Sequence, residues 1–483
     1  MAGAETSRLM RDLPLRLSAA QLGLSRTQTL GCGLGGAGIV AALSLWPEVT
    51  LAATSLAIQI GFLLCAIWRV VLALLSGRGQ VQPPAPIVWP RYTVMAALHD
   101  EAEIIPQLIE RLSQIDYPHD RLEGFLLLEA HDLETIDAAE RTERPDWLRV
   151  MVVPPGLPRT KPRALNYGLA HATGDLTTIY DAEDDPDPLQ LREAAARFAA
   201  DERDGTGRLS CLQAPLRIRR LHQSAHAAPF FDRQFAAEYA ALFEVTLPAL
   251  ARLGLPFPLG GTSNHFRVDV LRQVGGWDAY NVTEDADLGF RLWRHGWRLG
   301  VIERPTYETP PGAIEHWLPQ RCRWIKGYMQ TWGVHTRDPF GLGPRGIFAL
   351  VMTLGIGLVA AGAHGLSLAW VASTVLVAGA AGLPPDAPAF AILVLILGAM
   401  AAWLHCALGS RRARVPYTIV DMVQAPAYWA LLSLAFFHAA WRLIREPHAW
   451  DKTRHRLDAA QDVDVDVDVD EVQLRGPEPG SRI

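Results

Sequence analysis

Long apolar runs at both ends of the chain limit what it can fold into. Gly31 to Trp46 and Leu51 to Leu75 lie near one end, and 347–382, 388–408 and 418–444 near the other. Runs of about 20 apolar residues are the length that crosses a bilayer as helix. The first pair is split by Pro47-Glu48 and reads as a transmembrane hairpin, its first arm short for a full span. Arg26, Arg69 and Arg78 flank its outer ends and no arginine sits in the turn, which places both ends in the cytoplasm. The stretch 347–382 is long for one upright span, with a break expected near His364-Gly365 if it is two, so five or six spans are expected in all. Residues 1–28 carry Arg8, Arg11, Arg16 and Arg26 and are too long and charged for a signal peptide.

Between these blocks, from about Arg91 to Gln320, the composition is that of a soluble globular domain. The formal net charge of the whole chain is −6, so no global basic field points to nucleic acid. Five cysteines form no C-x-x-C pair, which argues against a disulfide framework or zinc site and suits a reducing compartment. Gly31-Cys32-Gly33-Leu34-Gly35-Gly36 matches a G-x-G-x-x-G pattern, but no strand precedes it. The dinucleotide reading fails on that context, and close helix packing through small residues is expected instead.

After a proline-rich linker (Gln80 to Pro90) short apolar strands alternate with helical stretches. Strands are expected at Tyr92–Leu98, Phe125–Leu128, Val150–Val153 and Leu176–Tyr180, with a further one closing at Gln213. Helices are expected at Ala102–Ile115, Asp187–Asp201 and Phe230–Leu253. That alternation predicts an α/β domain with a mainly parallel, Rossmann-like sheet. Such sheets bind ligands beyond the carboxyl ends of their strands. Asp100, Glu101, Glu129, Asp181 and Glu183 all fall there.

Five segments carry candidate chemistry. Lys161 and Arg163 open a helix, where cations oppose the dipole; a bound anion would resolve the conflict, and a solvated turn is the bland alternative. Asp181-Ala182-Glu183-Asp184 follows a buried strand and resembles a D-x-D site, whose oxygen ligands suit Mg²⁺ or Mn²⁺. Asn281-Val282-Thr283-Glu284-Asp285-Ala286-Asp287 opens another helix. The simple reading is that Thr283 caps it and the acids favour its dipole; the functional one is that Asp285 takes a proton from an attacking hydroxyl. Leu259 to His265 is expected to be a small-residue loop that a sugar could approach. Gln320, Arg323 and Trp324, spaced i, i+3, i+4, share a face of a helix beginning near Ala313. Trp317, Arg321, Trp324, Tyr328 and Trp332 form a second stripe, suited to a membrane interface. Asp462 to Asp470 alternates Asp and Val in a tail expected to be disordered.

In combination the D-x-D-like, T-E-D and Q-x-x-R-W segments resemble family 2 inverting glycosyltransferases of the GT-A fold, and with the hairpin the processive, cellulose synthase-like membrane branch. The resemblance covers roughly residues 30 to 455. It implies a cytosolic segment (1–28), a transmembrane hairpin (29–77), a GT-A domain (78–312), an amphipathic interface helix (313–340), further transmembrane helices (345–445) and an acidic tail (446–483). It also implies roles. Asp100 and Glu101 lie near the nucleotide, and Glu129 replaces an aspartate that usually contacts the uracil. Lys161 faces the diphosphate; Asp181 and Glu183, assisted by Asp184, hold the metal. Asp285 is the general base, Thr283 and Glu284 shape the acceptor pocket, and Gln320, Arg323 and Trp324 hold acceptor sugar and diphosphate. The partners implied are a nucleotide-sugar donor, a polysaccharide acceptor, membrane lipids and export proteins. No segment resembles the cyclic-di-GMP-binding domain that often follows the last helix. The expected protein is an inner-membrane enzyme with a cytoplasmic active site, forming a β-linked polymer from an α-linked donor. Its rivals are a synthase of a short glycan or glycolipid, a non-catalytic sugar-nucleotide-binding subunit, and a transporter. The last is disfavoured because the polar chemistry lies outside the spans.

Overall fold

The computed structural model describes residues 13–77, 82–219, 228–382 and 389–449. The Asp-Val tail and the first twelve residues lie outside these. Among the described residues, ten strands make two sheets. The larger comprises β1 (Tyr92–Leu98), β2 (Leu122–Glu129), β3 (Leu148–Val153), β4 (Leu176–Tyr180), β6 (Leu209–Gln213), β8 (Asn264–Arg267) and β9 (Arg298–Val301). Their order across the sheet is β3-β2-β1-β4-β8-β6-β9. All neighbours run parallel except β8, which is antiparallel to both β4 and β6. The smaller sheet joins β5 (Asp185–Pro186), β10 (Thr306–Glu308) and β7 (Leu216–Ile218).

Near-continuous apolar composition in β1 and β2 fits a sheet covered on both faces. Alternate residues serve the two faces. Met95, Phe125 and Leu127 pack with Leu165 and Leu169 of the helix Lys161–His171. Val94, Ala96, Leu126 and Leu128 pack with Leu108 and Leu112 of Ile105–Ser113 and with Phe198 of Gln190–Arg203. The register pairs Leu98 with Leu128 and Glu129 with Val153. The strands therefore end nearly level, and the acids that follow them share one edge.

β8 corrects the expected loop at Leu259 to His265, because Asn264 and His265 lie inside a central strand. This strand has no apolar alternation, and His265 and Arg267 in it are satisfied at long range. His265 is hydrogen-bonded to the Tyr92 hydroxyl at 2.6 Å and to Gln190 at 3.1 Å, and Arg267 donates to the Leu209 carbonyl. Burial pushes the His265 pKa down to about 3, so the ring is neutral.

Among the described residues, five helical segments are long and apolar enough to cross a membrane: Arg26–Leu45, Pro47–Leu75, Pro339–Ala380, Phe390–Ala413 and Ile419–Arg445. The expected break at His364-Gly365 is not one, since a single helix runs from Ile356 to Ala380. The Ser433 hydroxyl inserts between the Ala361 carbonyl and the Gly365 N–H, an i, i+4 pair, and bridges them. The irregularity lies earlier, in a π-helical turn at Val351–Gly355, where Gly355 faces the Trp332 ring. The glycines of Arg26–Leu45 do not serve close packing among the described residues. A Cβ added at Gly31, Gly33, Gly35, Gly36 or Gly38 would meet nothing within 4 Å.

The helix Ile314–Thr336 is unbroken by Pro319. Its aromatic stripe is turned largely into protein. Trp317 is fully buried and donates to the Tyr428 hydroxyl at 2.9 Å. Arg321 pairs with Glu238 at 2.6 Å and lies over the rings of Trp324 and Phe235 at 4.6 and 4.9 Å. This cage ties the helix to Phe230–Ala241 and to the last apolar helix.

Candidate active site

At the shared carboxyl edge of β1, β2 and β4 opens a cavity of about 550 Å³. Asp100, Glu101, Glu129, Lys161, Asp181, Glu183, Thr283, Glu284, Asp285, Gln320, Arg323 and Trp324 all line it. Asp184 does not; it lies behind the wall, fully buried. Segments far apart in sequence thus converge on one space.

The edge after β1 is set by Asp100, which has φ 56 and donates its N–H to Asp132. Asp132 in turn caps the helix Leu133–Arg141 through the Thr135 N–H. Glu129 is held from behind, because both its oxygens accept from Arg163 Nη2 at 2.7 and 2.6 Å. The two expected cations at the start of the helix Lys161–His171 therefore divide their work. Arg163 is spent on Glu129, and Lys161 faces the cavity. Lys161 Nζ contacts Asp181 and donates to the Gly261 carbonyl at 2.8 Å. Burial opposes its charge, but Asp181 and Glu284 more than offset that and raise the ammonium pKa.

The acidic turn after β4 is braced by Asp184, which accepts from the Asp181 N–H at 2.7 Å and from the Thr262 hydroxyl. Its Oδ1 has no hydrogen-bond partner among the described residues. Burial, then the charges of Asp181 and Glu183, push its pKa well up. The same holds for Glu308, a cavity residue that burial and the neighbouring Asp184 and Glu183 drive upward. Hard oxygen donors crowded with excess negative charge fit Mg²⁺ or Mn²⁺, which takes one or two carboxylates and fills the rest with water and phosphate oxygens. Asp181 and Glu183 face the cavity and could do this. No group of three or more ligating side chains is already assembled among the described residues.

Across the cavity begins the helix Glu284–Arg294. Thr283 stands at its N-cap position but makes no capping bond, against the simple expectation. Its Oγ1 has no partner among the described residues, and the side chain packs on Gly327 of the helix Ile314–Thr336. The turn is held from that helix instead. The Val282 N–H donates to Gln330 Oε1, and Asn281 Nδ2 to Thr331 Oγ1, both at 3.1 Å. The three acids then part company. Asp287 is fully buried between Arg291 at 3.0 Å and His335 at 3.1 Å. Arg291 also donates to the Val274 and Gly276 carbonyls, locking the helix to the preceding turn. Asp285 faces the cavity and accepts from its neighbour's Ala286 N–H at 2.7 Å. Burial raises it to about 6. Glu284 rises to about 8 through burial and the charge of Asp285. Gly261 leaves room opposite, since a Cβ there would lie 3.3 Å from Asp285 Oδ2.

On the third wall Trp324 lies roughly parallel to Tyr239, with centroids 6.0 Å apart. Gln320 Oε1 has no hydrogen-bond partner among the described residues. Sequence reading missed Glu308, Tyr239, Phe243 and Tyr328 as cavity residues. Only an acid beside the prolines of Arg304 to Pro311 hinted at Glu308.

Residues 93–250 match the model of Glycosyl transferase family 2, and residues 176–408 that of Glycosyl transferase family group 2. The chain carries a family 2 glycosyltransferase domain. Over 278 residues it is 28% identical to the beta-monoglucosyldiacylglycerol synthase of Synechocystis sp., covering 56% of this chain and 54% of that one. Over 260 residues it is 26% identical to the cellulose synthase 1 catalytic subunit of Komagataeibacter xylinus, covering 52% and 32%. The glycosyltransferase match thus spans about half the length of these curated relatives or less. A mannosyltransferase, PcManGT from Pyrobaculum calidifontis, solved with GDP-Man and Mn²⁺, superposes with a TM-score of 0.53 at 19% identity. That match covers 81% of this chain and 97% of the mannosyltransferase, and shows a shared GT-A-like fold. The five long apolar helical segments among the described residues mark the glycosyltransferase as a membrane protein.

Proposed function

We propose that the protein moves a sugar from a nucleoside-diphosphate sugar to an acceptor hydroxyl by one displacement with inversion, extending a β-linked polysaccharide at the cytoplasmic face of a multi-pass membrane domain. One observation carries this reading. A single cavity is lined by the acid-lysine set at the ends of β1, β2 and β4, by Asp285, and by Gln320, Arg323 and Trp324.

Asp285 is the base. With its pKa near 6 it is ionised at neutral pH yet basic enough to accept the acceptor's proton as the new C–O bond forms. The bond from the anomeric carbon to the diphosphate oxygen breaks with its electron pair leaving on that oxygen. Lys161 and Arg323 place positive charge where that negative charge grows. Asp181 and Glu183 would hold Mg²⁺ or Mn²⁺, which when bound neutralises charge on the diphosphate. Trp324 and Tyr239 offer ring faces to the acceptor, and the oxygens of Thr283 and Gln320, unpartnered among the described residues, offer it hydrogen-bond acceptors.

A second acceptor class is favoured by a specific feature. Leu242, Phe243, Pro258 and Leu259 make one cavity wall apolar, which suits a lipid-borne hydroxyl. Membranes containing the protein, supplied separately with radiolabelled UDP-glucose, UDP-N-acetylglucosamine and GDP-mannose, decide between the two. Label in high-molecular-weight material supports the polymer, and label in the lipid extract the glycolipid. Asp285→Asn should lower turnover by about 10²- to 10⁴-fold, the usual worth of a general base. Wild-type turnover in that variant removes Asp285 from the mechanism.

A further inference from the structure

A second cavity, of about 520 Å³, adjoins the first across Phe243, which borders both. Arg217, Arg252, Arg411 and Arg412 line it, with Glu244 and Glu303 as its acids, an excess of two positive charges. Two apolar helices end there. Ser76 and Gly77 follow Pro47–Leu75, and Arg411 and Arg412 form the last turn of Ala389–Ala413. These two helices pack along each other.

Part of the charge is already used. Arg217 pairs with Glu244 at 2.8 Å, and Arg412 donates to the Glu244 carbonyl at 2.6 Å. Arg252 lies against Gly77, whose φ of 53 and missing Cβ leave room for the guanidinium, and reaches the Leu75 carbonyl at 3.4 Å. Arg411 is exposed. Arginines at helix C-termini are common, because they suit the dipole and the membrane interface. That explains three of the four. Glu244 accounts for the fourth, Arg217, but neither explains a void of this size between them. Basic pockets between membrane helices on the cytoplasmic side bind anionic lipid headgroups.

We propose that this cavity holds the phosphate of an anionic phospholipid, its acyl chains lying along Pro47–Leu75 and Ala389–Ala413. The site is wired to the catalytic cavity through shared elements. In β7 Leu216 faces the catalytic cavity and Arg217 the arginine cavity. The π-helical turn Leu242–Thr246 carries both Phe243 and Glu244. Such turns recur at functional sites.

The test reads lipid retention, so it does not depend on the proposed transfer reaction. The full chain is purified in detergent, equilibrated with phosphatidylglycerol, phosphatidylcholine or inorganic phosphate, and bound species are counted by native mass spectrometry. Phosphatidylglycerol should be retained over phosphatidylcholine. A basic side chain near an anionic lipid is worth about 1 kcal/mol, so Arg411→Gln should lower that retention about fivefold. Arg411→Lys should keep it, and thermal unfolding confirms that each variant is folded. Equal retention in wild type and Arg411→Gln overturns the proposal. So does displacement of phosphatidylglycerol by an equal concentration of inorganic phosphate, which would make the ligand a soluble anion. Should Arg411→Gln not fold, competition in the wild-type protein between phosphatidylglycerol and phosphatidylcholine decides, and no preference is refutation.

Discussion

The contact between Gly327 and Thr283 sets the spacing between the acceptor helix and the proposed base. A Cβ at position 327 would fall 2.7 Å from the Thr283 Cβ and closer still to its Oγ1 and Cγ2. Ordinary contact begins near 3.5 Å, so Gly327→Ala must push the two elements apart by roughly 1 Å. Arg323 lies one turn before Gly327, and Asp285 two residues after Thr283, so the gap opens where acceptor and base should meet. A misplacement of about 1 Å costs on the order of 10²-fold in rate, and overpacking costs about 1–3 kcal/mol of stability. Thr283→Gly removes the clashing Oγ1, Cγ2 and Cβ together, and because Thr283 makes no capping bond it takes no cap away. The decisive assay is a double-mutant cycle on kcat/KM for nucleotide-sugar turnover in membranes, with thermal unfolding alongside. Gly327→Ala should cost about 10²-fold while Thr283 is present, and little once Thr283→Gly has been made. Equal costs in both backgrounds would mean that the helix accommodates the methyl elsewhere, and the spacing argument would be wrong.

Other outcomes are open to direct measurement. Turnover should rise with pH through about 6 as Asp285 ionises and fall through about 8 as Glu284 gains charge beside it; Glu284→Gln should abolish only the alkaline limb of the kcat/KM profile. Both carboxyls are raised by folding, so each contributes stability at low pH that is lost as pH rises through its folded value. Glu284→Gln should accordingly flatten the decline in melting temperature between about pH 4.5 and about 8. Arg291→Leu strands Asp287 in the core with His335 alone and should destabilise the domain by about 3–5 kcal/mol in denaturant unfolding. Chelation by EDTA should stop turnover and excess Mn²⁺ or Mg²⁺ restore it; Asp181→Asn should raise the metal concentration needed, and unchanged turnover in EDTA would remove the ion from the mechanism.

What the sequence made legible was whatever periodicity and position encode. The strands ending at Leu98, Glu129 and Tyr180 are apolar runs stopped by acids, and parallel pairing brings those ends level. Gln320, Arg323 and Trp324 share a face because helical spacing dictates it, and all three reach the cavity. Long-range satisfaction of polar groups left no such trace. Asn264-His265-Phe266-Arg267 looks like loop, yet it is a central strand because Tyr92, Gln190 and Leu209 supply its partners from three other elements. Identical residue types also hide opposite fates. Asp285 and Asp287 stand two apart at one helix start, but Arg291 and His335 hold the Asp287 carboxyl low while burial lifts Asp285. Thr283 carries the same lesson further. Its position is that of a cap, and its identity is that of a cap, but the turn is already held by Gln330 and Thr331 from the neighbouring helix. Relieved of capping, the hydroxyl is left at the cavity wall without a partner among the described residues, and a buried polar atom in that state is costly unless a ligand satisfies it. The cost of leaving it so is the physical reason to place the acceptor beside it.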